Sequence, residues 1–518
     1  MSSEREQREK FIGVASGLGN NVNNMIGAGT VWRMVGSPWI ALLLWLVGGI
    51  ASICGTLTYT ELGAQFQIGA GETTYLESSF PKPHLLLSYS FTMVYIILIR
   101  PAAISAAANV CAQYLLFTLG LNGNEDDLYK DFHPQYFNGR NFWRLKLTTV
   151  AIIALIALYH SLSNKWSNRI NQALVTTKVL TVLTVVVLGL SFAKASVETE
   201  KNKNVNWGSF FPDSANYQNI SATEWIQRYI TAMLTILFAY TGWNNLNYLT
   251  EEFDRGKSSK NLLTSNAGAV GIVTVLYLLA NLAYTAVLNV TSVTGNGSGS
   301  NPNEIIGIYF VAQIAQKNVP LTEIKEARAL SFFIALSAFG ASAVLMQSAS
   351  RVVDLAGQHK YVPLISKWLT GWNGNLGTPV NSFIALFAWC SILTLIAPGN
   401  SPFEFLVKIE QYAEYFFFLL AAIGALVLRR RNREQEILTY RAPLTVIILF
   451  ILFALAIVIL SWVPPKSESS ESVNTYAAYG TSLGVMILTG VLWQFMKGGF
   501  TRGGNESEKT DTEHGPPV

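Results

Sequence analysis

The chain consists of long apolar stretches separated by short polar segments. About 20 apolar residues in a helix span the hydrocarbon core of a bilayer. Ten uncharged stretches approach or exceed that length: Phe11–Trp32, Met34–Thr60, Pro101–Asn124, Leu147–Asn164, Tyr229–Thr250, Asn261–Asn303, Ala329–Ser350, Trp368–Phe403, Ala442–Pro465 and Val473–Met496. Two more stretches predict helices that contain charges: Ile170–Ala193 with Lys178, and Glu404–Leu428 with Lys408, Glu410 and Glu414. The third helix begins before Arg100, near Leu85, so the pattern predicts an all-α membrane protein with twelve transmembrane helices.

Composition supports this class and excludes others. Of the 518 residues 50% are hydrophobic and 13% are charged, whereas soluble domains have about a quarter of their residues charged. A net charge of +4 argues against nucleic acid as a partner. Cys54, Cys111 and Cys390 lie in apolar runs and predict helix packing. The sequence contains no catalytic triad, metal cluster or phosphate loop, so we predict neither an enzyme nor a cofactor or metal.

Polar segments divide the chain into four parts. We predict a cytoplasmic tail over 1–10, a core of helices 1–10 over 11–430, helices 11–12 over 431–497, and a disordered cytoplasmic tail over 498–518. Lysines and arginines in the first tail and in the loops after helices six and ten favour this orientation. Sequons at Asn219, Asn289 and Asn296 fall on the opposite side and predict a glycoprotein. The loops 194–224 and 291–327 are long enough for short helices.

Helix one contains a glycine-rich step at mid-membrane, Asn23-Asn24-Met25-Ile26-Gly27-Ala28-Gly29-Thr30. Two glycines around one alanine make a poor continuous helix. A break there exposes amide N–H groups at the start of a half-helix, where the dipole also favours an anion such as a carboxylate. Close helix packing through small residues explains the same segment equally well.

Helix six contains a second small-residue step, Phe238-Ala239-Tyr240-Thr241-Gly242-Trp243-Asn244-Asn245. A break there frees carbonyl groups that can accept hydrogen bonds from an ammonium, whereas the alternative is an aromatic contact with one glycine bend. The two steps lie five spans apart, which fits an inverted repeat of helices 1–5 and 6–10. A pair of interrupted helices at matching positions points to a transporter site. A zwitterion suits such a site, because its carboxylate can bind the amides of helix one and its ammonium the carbonyls of helix six.

The motifs resemble the amino acid–polyamine–organocation superfamily. Within it they most resemble L-type amino-acid transporters, and among those the fungal methionine-permease-like branch. The motifs are Gly27-Ala28-Gly29, Tyr59-Thr60-Glu61-Leu62-Gly63, Gly69-Ala70-Gly71-Glu72-Thr73-Thr74-Tyr75-Leu76, Arg100-Pro101, Phe238 to Asn244 with Thr250-Glu251-Glu252, and Ser337-Ala338-Phe339-Gly340. The resemblance covers about residues 11–430 and implies a LeuT-like 5+5 inverted repeat with broken helices 1 and 6.

The resemblance also implies roles for individual residues. The amides of Ala28 and Gly29 hold a substrate carboxylate, and Phe238 is an aromatic gate. The predicted substrate-binding residues are Met25, Ile26, Gly27, Ala28, Gly29, Thr30, Phe238, Ala239, Tyr240, Thr241, Trp243 and Asn244. Trp243 and Asn244 line the site or brace the break. Ala28 stands where relatives often have serine, and Thr241 where many have glycine, which narrows the pocket toward slim side chains.

Charged residues near the core predict gating or coupling. The resemblance implies that Lys178 in helix five tethers the unwound part of helix one, at the place where sodium-coupled relatives bind a sodium ion, which disfavours sodium coupling. The alternative is a lysine that reaches the membrane surface. Glu61 and Glu251 are either inner-gate residues or solvated caps. Glu410 and Glu414 share one helix face, as a proton relay or as acids in the first turn.

The predicted function is secondary transport of neutral L-amino acids by alternating access, with methionine-like or branched side chains favoured. Proton symport and exchange both stay open. Two alternatives are a transporter of polyamines, choline or a similar amine, and an amino-acid receptor without flux. The expected location is the plasma membrane. The L-type transporters of animals that the chain resembles join a glycoprotein, their heavy subunit, through a cysteine in the loop between helices three and four. The corresponding loop 121–146 contains no cysteine, which excludes such a disulfide there.

Overall fold

A computed structural model describes residues 28–66, 71–120, 140–198, 220–248, 258–288, 306–315, 325–371, 376–397, 402–431, 440–463 and 470–512. Regular structure in these segments is helical throughout. The helices are α1 (Ala28–Val35), α2 (Pro38–Gln65), α3 (Glu72–Ser79), α4 (Leu86–Thr118), α5 (Arg140–Leu162), α6 (Asn164–Glu198), α7 (Ala222–Tyr240), α8 (Ser258–Val287), α9 (Ile306–Ala315), α10 (Lys325–Gln358), α11 (Ser366–Leu369), α12 (Val380–Ile396), α13 (Pro402–Arg431), α14 (Leu444–Leu460) and α15 (Ser470–Thr512).

Eight helices in the described segments are long and apolar enough to cross a membrane, and two shorter ones, α12 and α14, are also apolar. Large apolar side chains on their outer surfaces remain exposed, including Leu43 at 48%, Val187 at 61% and Leu449 at 56%. Such side chains suit contact with lipid tails and would be unfavourable in water. The chain is therefore a multi-pass, all-α membrane protein, as the hydropathy pattern predicts.

Most predicted spans coincide with an observed helix, but several ends differ. The predicted helix over 368–403 is too long, because Pro379 precedes α12 and a proline cannot continue a helix through the preceding turn. α5 begins at Arg140, before the predicted Leu147, and its Lys146 donates hydrogen bonds to the carbonyls of Leu395 and Ala397 at 2.5 and 2.9 Å. A charged residue with buried partners thus extends a helix beyond its apolar stretch.

Two other differences concern loops and a tail. α8 ends at Val287, well before the predicted end at Asn303, and the short helix α9 lies within the long loop that the sequence predicts. The backbone of α15 is helical as far as Thr512, whereas we predict disorder over 498–518. The predicted sequons Asn219, Asn289 and Asn296 lie outside the described residues.

The centre of the molecule is built on α4 and α10. Both helices present small residues to each other, such as Ala103, Ala107 and Ala341, so their backbones can approach closely. The Ser342 hydroxyl of α10 donates to the Ile104 carbonyl of α4 at 3.1 Å. Within α4 the backbone forms a π-helical turn at Tyr95–Ile99, directly before Arg100. Such turns frequently mark functional positions.

Candidate functional site

α7 ends at Tyr240 while its surroundings are still fully buried. Thr241 has φ −51° and ψ 138°, which leaves the helical region, and Gly242 has φ +108°, which L side chains rarely adopt. A short 3-10 turn, Asn245–Tyr248, follows after four residues. The chain therefore interrupts its sixth predicted span at the small-residue step seen in the sequence.

The interruption changes the hydrogen bonding of three consecutive carbonyl groups. The Leu237 carbonyl accepts from the Thr241 hydroxyl at 3.3 Å, and the Phe238 carbonyl accepts from the Thr241 amide at 3.1 Å. The Ala239 carbonyl accepts from the Tyr277 hydroxyl of α8 at 3.0 Å. A carbonyl oxygen has two lone pairs, so each of these groups can accept a further hydrogen bond from an ammonium.

α1 (Ala28–Val35) packs against α7. Its residues Ala28, Gly29 and Thr30 are buried. Three predicted binding residues, Met25, Ile26 and Gly27, lie outside the described part of the chain. The described part of this predicted site is thus a buried helix that packs against an interrupted one.

The aromatic residues around the interruption face in different directions. Phe238 makes an edge contact with Phe403 of α13, with ring centroids 5.6 Å apart. The Tyr240 hydroxyl donates to the Trp45 carbonyl of α2 at 3.2 Å. Trp243 packs against Phe418 of α13 and other rings of α2 and α14, at a centroid distance of 4.8 Å from Phe418. Phe238 and Trp243 therefore both contact α13, at residues 15 positions apart, while Tyr240 contacts α2.

Side-chain hydrogen bonds attach the turn after α7 to α3 and α13. Asn244 donates to Glu72 of α3 at 3.1 Å and to the Tyr248 hydroxyl at 3.3 Å. Gln411 of α13 donates to the Thr241 hydroxyl at 2.7 Å and to the Glu410 carboxylate at 2.5 Å. The interruption is thereby connected to two buried carboxyl groups.

Arg100 and Glu414 complete a buried cluster with these groups. The guanidinium of Arg100 lies 3.3 Å from Glu414, and the two side chains are 0% and 3% exposed. Arg100 also lies against the rings of Tyr95 and Tyr248, at 4.8 and 5.8 Å from their centroids. We call Glu72, Arg100, Glu410 and Glu414 the buried charge cluster.

The sequence gives only part of this cluster. It groups Glu410 with Glu414, but their placement in a first turn is wrong, because α13 begins at Pro402. It assigns no role to Glu72, Arg100 or Gln411. The available signal is Arg100 itself, since a charge inside a membrane-spanning stretch usually has a partner or a function.

Two ion pairs lie at opposite ends of α13. Near its start, Glu404 accepts from Arg33 of α1 at 2.9 Å. Near its end, Arg429 forms a two-point pair with Glu61 of α2, with an Nε to Oε1 distance of 2.7 Å. The Ala442 amide also donates to Glu61 at 2.7 Å. Glu61 is therefore a buried, ion-paired residue and not a solvated cap, whereas Glu251 lies outside the described residues.

Lys178 is buried within α6 and is 2% exposed. Its Cε atom would lie 3.2 Å from a Cβ atom added to Gly340 of α10, so only a glycine leaves normal room for the lysine there. The side chain of Lys178 therefore lies inside the helical bundle. Its predicted partner, the unwound part of helix one, lies outside the described residues.

An interrupted helix in a multi-pass bundle, with buried charged side chains beside the break, is typical of a membrane carrier. A family model described as Amino acid permease matches residues 12–492 of the chain. The chain belongs to this family, within the amino acid–polyamine–organocation superfamily, and is a transporter of amino acids and not an enzyme.

Curated relatives are similar over most of their length. The chain is 25% identical to the cystine/glutamate transporter of Homo sapiens over 465 residues, covering 88% of the chain and 81% of that protein. It is 24% identical to the large neutral amino acids transporter small subunit 2 of Homo sapiens, covering 82% and 71%. It is 23% identical to the high-affinity methionine permease of Saccharomyces cerevisiae, covering 92% and 77%.

Proposed function

We propose that the protein transports neutral L-amino acids by alternating access, with twelve spans in a LeuT-like 5+5 inverted repeat. The observation that carries this proposal is the end of α7 at Tyr240, within the bundle and beside the buried helix α1. These two helices occupy the first and sixth positions among the predicted spans, as an inverted repeat requires.

The chemistry of this pair suits a zwitterion. Amides of Ala28 and Gly29 are donors for a carboxylate at the positive end of α1. Carbonyls near Phe238 and Ala239 are acceptors for an ammonium. An amine without a carboxylate would leave the α1 amides without an anion, so polyamines and choline suit the site less well.

A slim, neutral side chain fits the residues around the break. Thr241 adds bulk where many relatives have glycine, and Phe238 with Phe403 supplies an apolar wall. Arg100 already faces the carboxyl groups of the buried charge cluster, which leaves them poorly suited to pair with a cationic substrate. The relatives named for methionine and for large neutral amino acids support the same substrate class.

The two ion pairs of α13 are candidates for the gates that close the transport path at its two ends. Arg33–Glu404 joins α13 to α1 at one end, and Glu61–Arg429 joins it to α2 at the other. We assign the first pair to an outer gate and the second to an inner gate, with both termini cytoplasmic and the protein in the plasma membrane. Lys178 acts as a tether in place of a sodium ion, and no disulfide-linked heavy subunit attaches through loop 121–146.

Transport by the purified protein in liposomes tests the proposal. Labelled methionine should accumulate or exchange, with leucine competing and putrescine failing to compete. Counterflow, in which internal unlabelled methionine draws in labelled methionine, distinguishes a carrier from a receptor. Binding of methionine without any counterflow would contradict the proposal, and so would competition by putrescine equal to that by leucine.

Replacing Thr241 with glycine should broaden the selectivity. Loss of the side chain enlarges the space beside the break, so competition by phenylalanine against methionine should improve about tenfold, the usual scale for small changes in an apolar pocket. The control is Thr241→Ser, which keeps the hydroxyl that Gln411 contacts. Unchanged selectivity in Thr241→Gly would show that Thr241 does not border the substrate side chain.

A further inference from the structure

The buried charge cluster contains more acid than base. Three carboxyl groups and one guanidinium lie together among the described residues, and Glu72, Arg100 and Glu410 are 0% exposed, with Glu414 at 2%. Buried carboxylates near one another cannot all ionise in a low-dielectric interior. Arg100 compensates one of them, so the cluster must carry at least one proton in this conformation.

The geometry selects the group that holds this proton. Arg100 lies 3.3 Å from Glu414, which favours ionised Glu414. Glu72 accepts a hydrogen bond from Asn244 through Oε1, and although its Oε2 atom has no donor within the described segments, the Tyr248 hydroxyl lies beside this carboxylate and can supply one. Glu410 accepts from Gln411 through Oε2, but its Oε1 atom has no hydrogen-bond donor within the described segments, and Oε1 of Glu414, which lies 3.3 Å from Arg100, accepts no hydrogen bond there. A proton on Glu410 supplies that donor across one turn of α13.

Other ionisable groups around Glu410 do not change this balance. Its charged neighbours are Glu414 and Arg100, with Glu72 beyond Glu414. The neutral phenols nearby are Tyr59, Tyr95, Tyr248 and Tyr415. Lys408, on the same helix, is directed to Thr475 of α15 at 2.9 Å. No second cation therefore faces Glu410 in the part of the chain that the structure describes.

One side chain connects Glu410 to the helix break. The two N–H bonds of the Gln411 amide are divided between the Glu410 carboxyl and the Thr241 hydroxyl. Ionisation of Glu410 strengthens its hydrogen bond with the Gln411 amide, because hydrogen bonds to charged acceptors are stronger. The contact with Thr241, next to the proposed substrate carbonyls, then weakens or shifts. Proton occupancy and substrate occupancy can therefore influence each other.

We infer that Glu410, paired with Glu414 across one helical turn, binds the proton of a proton-coupled carrier and that Gln411 links it to the substrate site. This inference rests on the proposed function. One proton enters with the amino acid on one side, binds to the Glu410 carboxylate, and leaves with the amino acid on the other side. Protonation neutralises the cluster by one charge while the helices move.

Liposomes that contain pyranine, a pH-sensitive dye, test this inference with methionine as the probe. Wild-type protein should acidify the lumen when methionine is added outside. An inward gradient of about one pH unit should drive accumulation up to about tenfold, the limit for one proton per substrate. Glu410→Gln, which mimics the protonated carboxyl, should keep counterflow within about twofold of wild type yet lose gradient-driven accumulation and acidification. The control is Glu224→Gln, in a surface pair with Arg228.

The outcomes separate the two proposals. Absence of counterflow in the wild-type protein would overturn the proposed function and this inference with it. Wild-type counterflow without any response to the gradient would overturn the proton site alone. Accumulation by Glu410→Gln at the wild-type level would also overturn it. Loss of both counterflow and accumulation in Glu410→Gln, with Glu224→Gln active, would assign Glu410 to substrate binding or folding and reject the inference.

Discussion

Gly242→Ala is expected to remove most transport activity. Gly242 has φ +108°, and a Cβ atom there would lie 2.7 Å from Nδ2 of Asn245. A non-glycine residue in such a conformation costs about 1–3 kcal/mol, and the backbone can avoid this cost only by rebuilding the turn. Because Thr241 and Asn244 belong to the same turn, we expect a loss of about 10- to 100-fold in methionine uptake by this energy scale.

A second glycine provides the control for this variant. Gly271 lies in α8, and an added Cβ there meets no atom within 4 Å. Gly271→Ala should transport like wild type and gain up to about 1 kcal/mol of helix stability. Thermal unfolding of both purified variants separates misfolding from a defective turn. Full activity of Gly242→Ala would mean that the turn conformation is unimportant for transport.

Arg429→Ala is expected to destabilise the protein strongly. It leaves Glu61, which is 0% exposed, without its cation, and removing one partner from a buried ion pair costs about 3–5 kcal/mol. We expect a lower melting temperature in detergent and little folded protein. Removing the carboxylate as well, in Glu61→Met with Arg429→Met, should recover most of the stability, because no uncompensated charge stays buried.

The double variant also tests the gate. If the pair closes one end of the transport path, the stable double variant should carry methionine at about one tenth of the wild-type rate or less, a coupling of about 1.4 kcal/mol. Fluorescence-detected melting and counterflow on the same preparations give both quantities. Glu224→Ala with Arg228→Ala is the control, since exposed pairs contribute about 0–1 kcal/mol. Wild-type transport by the double variant would restrict Glu61–Arg429 to a role in stability.

The fold class is predictable from sequence because membrane helices satisfy their own backbone hydrogen bonds and must be apolar. The break in α7 is predictable for a local reason, since Thr241-Gly242 interrupts an apolar run. Helix ends that depend on distant partners are not, as Lys146 shows: it extends α5 by bonding carbonyls about 250 residues later in the chain.

The candidate site divides in the same way. Glu410 and Glu414 share a face by helical spacing alone, so the sequence groups them. Their association with Arg100 and Glu72 depends on how α3, α4 and α13 pack, which no local pattern encodes. Gln411 is a similar case, because a glutamine beside two glutamates gives no indication that it contacts Thr241, 170 residues earlier.

α13 runs without a break for 30 residues, about 45 Å at the rise of an α-helix. Along that length it is attached to α1 through Glu404, to the turn after α7 through Gln411, and to α2 through Arg429. A continuous helix that is held at three points cannot tilt at one of them without disturbing its contacts at the other two. Releasing either ion pair therefore changes the constraint on the opposite end of α13, which suits the alternating access that we propose.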